Sequence, residues 1–235
     1  MAGLIGIGLT GILSNQAALN TTGNNITNAN TPGYSRQEVL FETQEGQRTG
    51  AGTIGSGVNV ADIRRLANEY LVQQVREDST LYGEQEALNS ELSRLDNLLG
   101  GESTGLNTAL NNFFASLQNA AEDPTSLPQR QLVLSEAQQV VNRFQALNQE
   151  FIQQRESIKT QMQQGVKDGN TLIRSIAELN LAISESPGIA QGRMPNELLD
   201  KRDEKLRQLS ELISIKVSPA DGSQVNVSLS NGLSL

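Results

Sequence analysis

Neither cysteine nor histidine occurs in these 235 residues. That excludes a disulfide frame, a thiolate nucleophile, a histidine general base and a Cys/His zinc site. Chemistry by paired carboxylates stays open, since it needs only two suitably placed Asp or Glu side chains. Tryptophan is also absent and aromatics make up 3%, so any core must be Leu, Ile, Val and Ala, packed as aliphatic seams between helices. Eighteen basic residues stand against 26 acidic ones, a net charge of -8. The basic residues are scattered among acids, whereas phosphate contacts require clustered Lys and Arg, so no nucleic-acid partner is expected. The length allows one large domain or two small ones.

The sharpest absence is local: the first 35 residues hold no Asp, Glu, Lys or Arg, and the first charge is Arg36. Residues 2 to 13 are largely apolar. They lack the basic flank and small-x-small cleavage site of a secretory signal, and they fall short of the about 20 residues that span a bilayer. Membrane insertion is not expected, and export would proceed without a cleaved signal peptide. The segment does carry a heptad stripe, Ile5, Leu9, Ile12, Gln16, Leu19, Gly23 and Ile26, at alternating helical spacings of four and three. With Gln16 and Gly23 in it, the stripe buries too little to fold alone, and an isolated helix of about 20 residues is marginal in water. The pattern predicts a terminal helix that orders in an assembly, with Ile5, Leu9, Ile12, Gln16, Leu19 and Ile26 as its interface. Gly6-Ile7-Gly8-Leu9-Thr10-Gly11 matches a dinucleotide-binding pattern letter for letter, but that chemistry needs a preceding strand and a βαβ unit. Close helix packing through small residues is the better reading, and no cofactor, metal or catalytic residue is assigned.

After this helix, Thr31-Pro32-Gly33-Tyr34 fits a type II turn, with Pro32 fixing φ and Gly33 accepting φ > 0. Asn28 and Asn30 can bond nearby backbone as Asx-turns. The turn is expected to lie outside the folded helical body. Residues 36–61 read as an extended or loop segment with a small hairpin. Asp62 is a good N-cap for a helix running through Leu66, Tyr70, Leu81, Leu88, Leu92, Leu95 and Leu99 to Gly100-Gly101; Gly83, costing about 1 kcal/mol relative to Ala, is its weak point. A shorter helix follows on Leu106 to Ala121, with Phe113 and Phe114 expected to plug the bundle.

From Pro128 a seam of Ala137, Val140, Phe144, Leu147, Phe151, Gln154, Ile158 and Met162 continues to Ile173, Ile176 and Ile183. No proline interrupts it before Pro187, which predicts one helix of roughly 80 Å. A last helix, capped by Asn196, turns Leu199, Leu206, Leu209 and Ile213 inward and pairs Glu197 with Lys201 and Asp203 with Arg207 outside. The charge run Asp200 to Arg207 therefore reads as a solvated face and not as a carboxylate site. Residues 214–235 alternate as strands around the turn at Asp221-Gly222. The fold class is mainly α: an elongated helical bundle with long coiled-coil-like helices over 62–213, an assembly helix and turn over 1–35, the segment 36–61, and the start of a β-rich domain over 214–235 that is expected to be cut off at Leu235.

The run Asn24-Asn25-Ile26-Thr27-Asn28-Ala29-Asn30-Thr31-Pro32-Gly33-Tyr34-Ser35-Arg36-Gln37, placed just after an N-terminal helix, resembles the signature of the bacterial flagellar axial proteins of rod, hook and junction. Its ending Gly33-Tyr34-Ser35-Arg36-Gln37 is more similar to the junction members. Leu198-Leu199-Asp200-Lys201-Arg202-Asp203 resembles a second segment of that branch. The resemblance implies a structural, non-enzymatic subunit of the hook–filament junction, outside the cell, exported by the flagellar type III apparatus. Implied partners are copies of itself in a helical homopolymer, the hook protein, a second junction protein, and an export chaperone acting on a missing C-terminus. Such a polymer would grow by head-to-tail packing. Two alternatives stay open. One is a rod or hook subunit, against which the long helical stretch argues; the other is a coiled-coil scaffold or secretion adaptor unrelated to flagella.

Overall fold

The structure is a computed structural model that describes residues 3–100 and 105–235. Its elements run α1 (Leu4–Thr27), β1 (Gln37–Thr43), β2 (Gln47–Thr49), β3 (Gly52–Ile54), β4 (Val58–Arg65), α2 (Glu69–Gly100), α3 (Leu106–Glu122), α4 (Leu127–Ser184), α5 (Asn196–Leu212), β5 (Ile215–Pro219) and β6 (Val225–Leu229). The chain is mainly helical. It divides into two compact units, Met1–Leu81 with Gly169–Leu235, and Tyr82–Asp168.

In the first unit the buried core is Ile176 of α4 with Leu206 and Leu209 of α5. Leu172, Ile173, Ile213, Ile215, Val217, Val225 and Val227 pack around them. The antiparallel pair β5–β6, in register from Ile215 opposite Leu229 to Pro219 opposite Val225, thus lays its Ile/Val face on the two helices. Aliphatic residues do this work, as the shortage of aromatics requires. Leu199 is buried with the core leucines of α5, as its helical spacing predicts. The single helix expected after Pro128 is α4, 58 residues without a break.

Residues 37–65 depart from the sequence reading. β1 and β4 pair antiparallel, from Gln37 opposite Arg65 to Thr43 opposite Val58, with a bulge between Leu40 and Phe41. β2 and β3 form a separate hairpin. Asp62 is therefore no helix cap: it sits in β4 opposite Leu40, and its carboxylate accepts the Ile63 N–H. The strand begun at Val58-Asn59-Val60 continues through the bulge to Arg65, and the ladder bonds offered by β1 prevail over a helical start. The cap lies six residues later, where Asn68 Oδ1 accepts the N–H groups of Tyr70 and Leu71 at 3.1 and 3.4 Å. Asn196 is likewise not a cap of α5: it is the first residue of the helix, its Oδ1 accepts no bond, and its amide donates to the Ile63 carbonyl of β4.

In the second unit Leu147 and Gln154 of α4 and Ser116 of α3 are buried. Gln154 donates to Glu91 at 3.0 Å, and Arg143 Nη2 to the Leu98 carbonyl at 3.4 Å. Only one of the two phenylalanines turns inward: Phe113 is half-buried while Phe114 is 61% exposed. Adjacent helical positions lie about 100° apart, so both cannot face one seam. Of the expected Gly100-Gly101 stop, Gly100 closes α2 and Gly101 lies outside the described residues.

Candidate assembly interface

Helix α1 is amphipathic the wrong way round for a monomer. The apolar stripe faces out: Ile5 is 88% exposed, Leu9 53%, Ile12 66%, Leu19 73% and Ile26 71%, with Gln16 exposed among them. The opposite face, Ile7, Thr10, Gly11, Ser14, Ala17, Ala18, Thr21 and Asn25, is buried or half-buried against β1 and β4. Small and hydroxyl side chains let the helix approach the strands closely. Ser14 Oγ donates to the Val58 carbonyl, and the Val58 N–H donates to Thr10 Oγ1, both at 3.4 Å. Gly57 has φ +110°, and a Cβ there would run into Thr10 Oγ1.

The helix was expected to order only in an assembly; here it already has an intramolecular partner. That partner leaves all six predicted interface residues uncovered. Monomeric proteins seldom expose contiguous apolar surface of this kind unless it is used.

At its C-terminal end α1 is knitted to the chain that follows by asparagines. Asn25 Oδ1 accepts from the Gln37 N–H and from Tyr34 Oη, both at 2.8 Å, and its amide donates to the Gln37 carbonyl at 2.8 Å. The side chain thus pairs with β1 as a neighbouring backbone would. Burial, and then the nearby Asp200 charge, push the Tyr34 hydroxyl above its ordinary pKa, so it remains a donor. Asn28 donates to the Asn24 carbonyl at 3.0 Å and accepts from Thr31 Oγ1 at 3.2 Å. Asn30, Thr31 and Pro32 are exposed. Gly33 has φ +78°, and the Tyr34 N–H donates to the Thr31 carbonyl at 3.2 Å, as a type II turn requires.

The turn does not stand clear of the folded body. A Cβ at Gly33 would lie 2.8 Å from Cβ of Glu204 on α5. The Ser35 N–H donates to Asp200 Oδ2 at 3.0 Å. Arg65 Nη1, at the end of β4, donates to Asp200 Oδ1 at 3.2 Å and Asp203 Oδ2 at 2.6 Å. Burial works against the Arg65 charge, but Asp203 and Asp200 outweigh it and raise its pKa. The two segments singled out in the sequence, around Gly33 and around Asp200, therefore meet in space.

The charge run on α5 is accordingly only half a solvated face. Glu197–Lys201 forms the expected exposed pair at 2.7 Å. Asp203 goes to Arg65 instead of Arg207, while Arg207 takes Glu204 at 2.8 Å and also Glu211. Asp200 and Arg202 are each 6% exposed. Arg202 donates inward to the Ser223 carbonyl at 2.7 Å and Asn180 Oδ1 at 3.2 Å. Sequence reasoning missed Arg65, Asn25, Ser14 and Thr21. Spacing held one signal, the stripe Ile7, Thr10/Gly11, Ser14, Ala17/Ala18, Thr21 at helical intervals opposite the apolar one.

An open cleft of about 770 Å³ lies beside the turn, lined among others by Asn24, Tyr34, Gln37, Ile63 and Asn196. Among the described residues no helix is long and apolar enough to cross a membrane.

Residues 92–235 match the model of the flagellar hook-associated protein FlgK helical domain, and residues 7–34 that of the flagella basal body rod protein family. The chain is 33% identical over 238 residues to flagellar hook-associated protein 1 of Salmonella typhimurium, covering 100% of this chain and 42% of that protein. It is 32% identical over 212 residues to flagellar hook-associated protein 1 of Bacillus subtilis, covering 86% of this chain and 41% of that one. The flagellar hook junction protein FlgK of Burkholderia pseudomallei superposes with a TM-score of 0.61 at 30% identity, over 69% of this chain and 28% of that chain. The chain thus spans less than half the length of these relatives.

Proposed function

Because the chain belongs to the flagellar hook-associated protein FlgK family, we propose that it is a structural subunit of the bacterial flagellum that joins hook to filament. The observation that carries this reading is the direction of α1: its polar, small-residue face is satisfied by β1 and β4, and its apolar stripe is left uncovered by the described residues. Burying Ile5, Leu9, Ile12 and Leu19 would stabilise an assembly by about 1.5 to 3 kcal/mol each. Head-to-tail packing of such a stripe onto the next subunit generates an array along the flagellar axis. Copies of itself, the hook protein and a second junction protein are the partners, and the chain reaches them outside the cell through the flagellar exporter. No catalytic step is involved.

Deleting the gene should leave hooks in place without attached filaments, and restoring it should bring filaments back. Normal filament attachment in the deletion strain would overturn the reading. The match of residues 7–34 to the rod-protein family favours one alternative, a rod or hook subunit. Loss of the hooks themselves would select it.

A further inference from the structure

We infer that Asp200 and Arg65 are positioning residues that hold the turn at Thr31–Ser35 at one angle on α5, and thereby aim the exposed stripe of α1. The inference rests on the assembly reading above. Asp200, 6% exposed, uses both carboxylate oxygens, one on the Ser35 N–H and one on Arg65. Arg65 is held from the other side by Asp203. Three stretches far apart in the chain are thereby joined at one point immediately beside the turn. A buried pair of this kind adds little to stability over apolar packing, yet removing one partner strands the other. What it does supply is directional geometry.

Direction matters here because of length. Helix α1 has 24 residues, about 36 Å at about 1.5 Å per residue. A change of about 10° at the turn would displace Ile5 by about 6 Å, more than the spacing of one side chain from the next on a packed seam. Thr10, Ser14 and Asn25 tie α1 to β4 and β1, so the helix and the strand pair turn together about their joint with α5. The bonds of Asp200 to Ser35 and Arg65 fix that joint.

The test uses three variants of the full chain, Asp200→Ala, Asp200→Asn and Ser35→Pro, with two readouts. One is amide exchange in the free protein, at Leu206 and Leu209 in all three and at Ser35 in the two Asp200 variants; the other is the fraction of cells carrying filaments. Asp200→Ala should speed Ser35 exchange at least tenfold and cut filamented cells at least tenfold, with Leu206 and Leu209 still protected. Asp200→Asn keeps an acceptor for the Ser35 N–H and should retain most of both signals. Ser35→Pro deletes the donor without touching α5 and should reproduce the filament loss even if Asp200→Ala does not fold. Wild-type filament numbers in Asp200→Ala and Ser35→Pro would overturn the inference, as would loss of Leu206 and Leu209 protection in all three variants. Ser35 exchange is read on the purified chain, so it stays informative if gene deletion shows that the junction reading itself is wrong.

Discussion

Gly33 shows how much one residue can be read from sequence and where that stops. Its positive φ follows from the Pro32-Gly33 pair, and the structure has it at +78°. Its contact with Glu204 could not be seen, because nothing local in Thr31–Tyr34 records a partner 171 positions away. The expectation that the turn lies outside the folded body therefore fails. Gly33→Val should lower the melting temperature of the free protein by an amount equivalent to about 1 to 3 kcal/mol from backbone strain, with the clash added, as well as impairing assembly. An unchanged melting temperature would separate the turn from α5.

Glu204 carries a second expectation at this scale. Its hydrogen bond from Arg207 holds its carboxyl below the usual glutamate range, against the opposing effect of burial. A depressed pKa contributes stability that is present above the ordinary glutamate value and is lost as pH falls through the folded-state value. Thermal melts of wild type and Glu204→Gln should therefore differ at neutral pH and converge as the pH falls below the ordinary glutamate range. A difference independent of pH would mean the side chain acts only through packing.

Among the elements, α1 and β4 fail or succeed for physical reasons that can be named. The stripe of α1 and its role as an unpaired surface were legible because 3.6-residue periodicity survives without charge. Its docking was not, because the docked face is Ser, Thr, Ala and Gly, which hydropathy does not mark as interior. In β4 the residues from Val58 to Asp62 suit either a strand or the entry to a helix, and only the pairing with β1 decides between them.

The two faces of α1 should respond to mutation in opposite senses. Leu19→Asp, at an exposed site, should change folding stability by less than about 0.5 kcal/mol and abolish filament attachment. Ser14→Leu places a larger apolar side chain where 5% of the surface is free and should destabilise by about 1 to 3 kcal/mol through overpacking. Denaturant melts beside filament counts would show this crossed pattern; the reverse pattern would mean that the faces are assigned the wrong way round.

For the molecule as a whole, helical content, the long α4 and the aliphatic core of α5 were legible from periodicity and from the shortage of aromatics. The convergence of Ser35, Arg65 and Asp200 was not, since it depends on how distant elements meet. The central claim is that the apolar stripe of α1, uncovered in this chain, is covered in the flagellum. The absence of cysteine from these 235 residues helps to make this measurable, because an introduced thiol is the only one among them. In Leu19→Cys the thiol should react with a maleimide within minutes in the free protein and be protected in isolated hook–filament structures. In Ser14→Cys, on the docked face, it should be slow in both. Equal reactivity of Leu19→Cys before and after assembly would contradict the account.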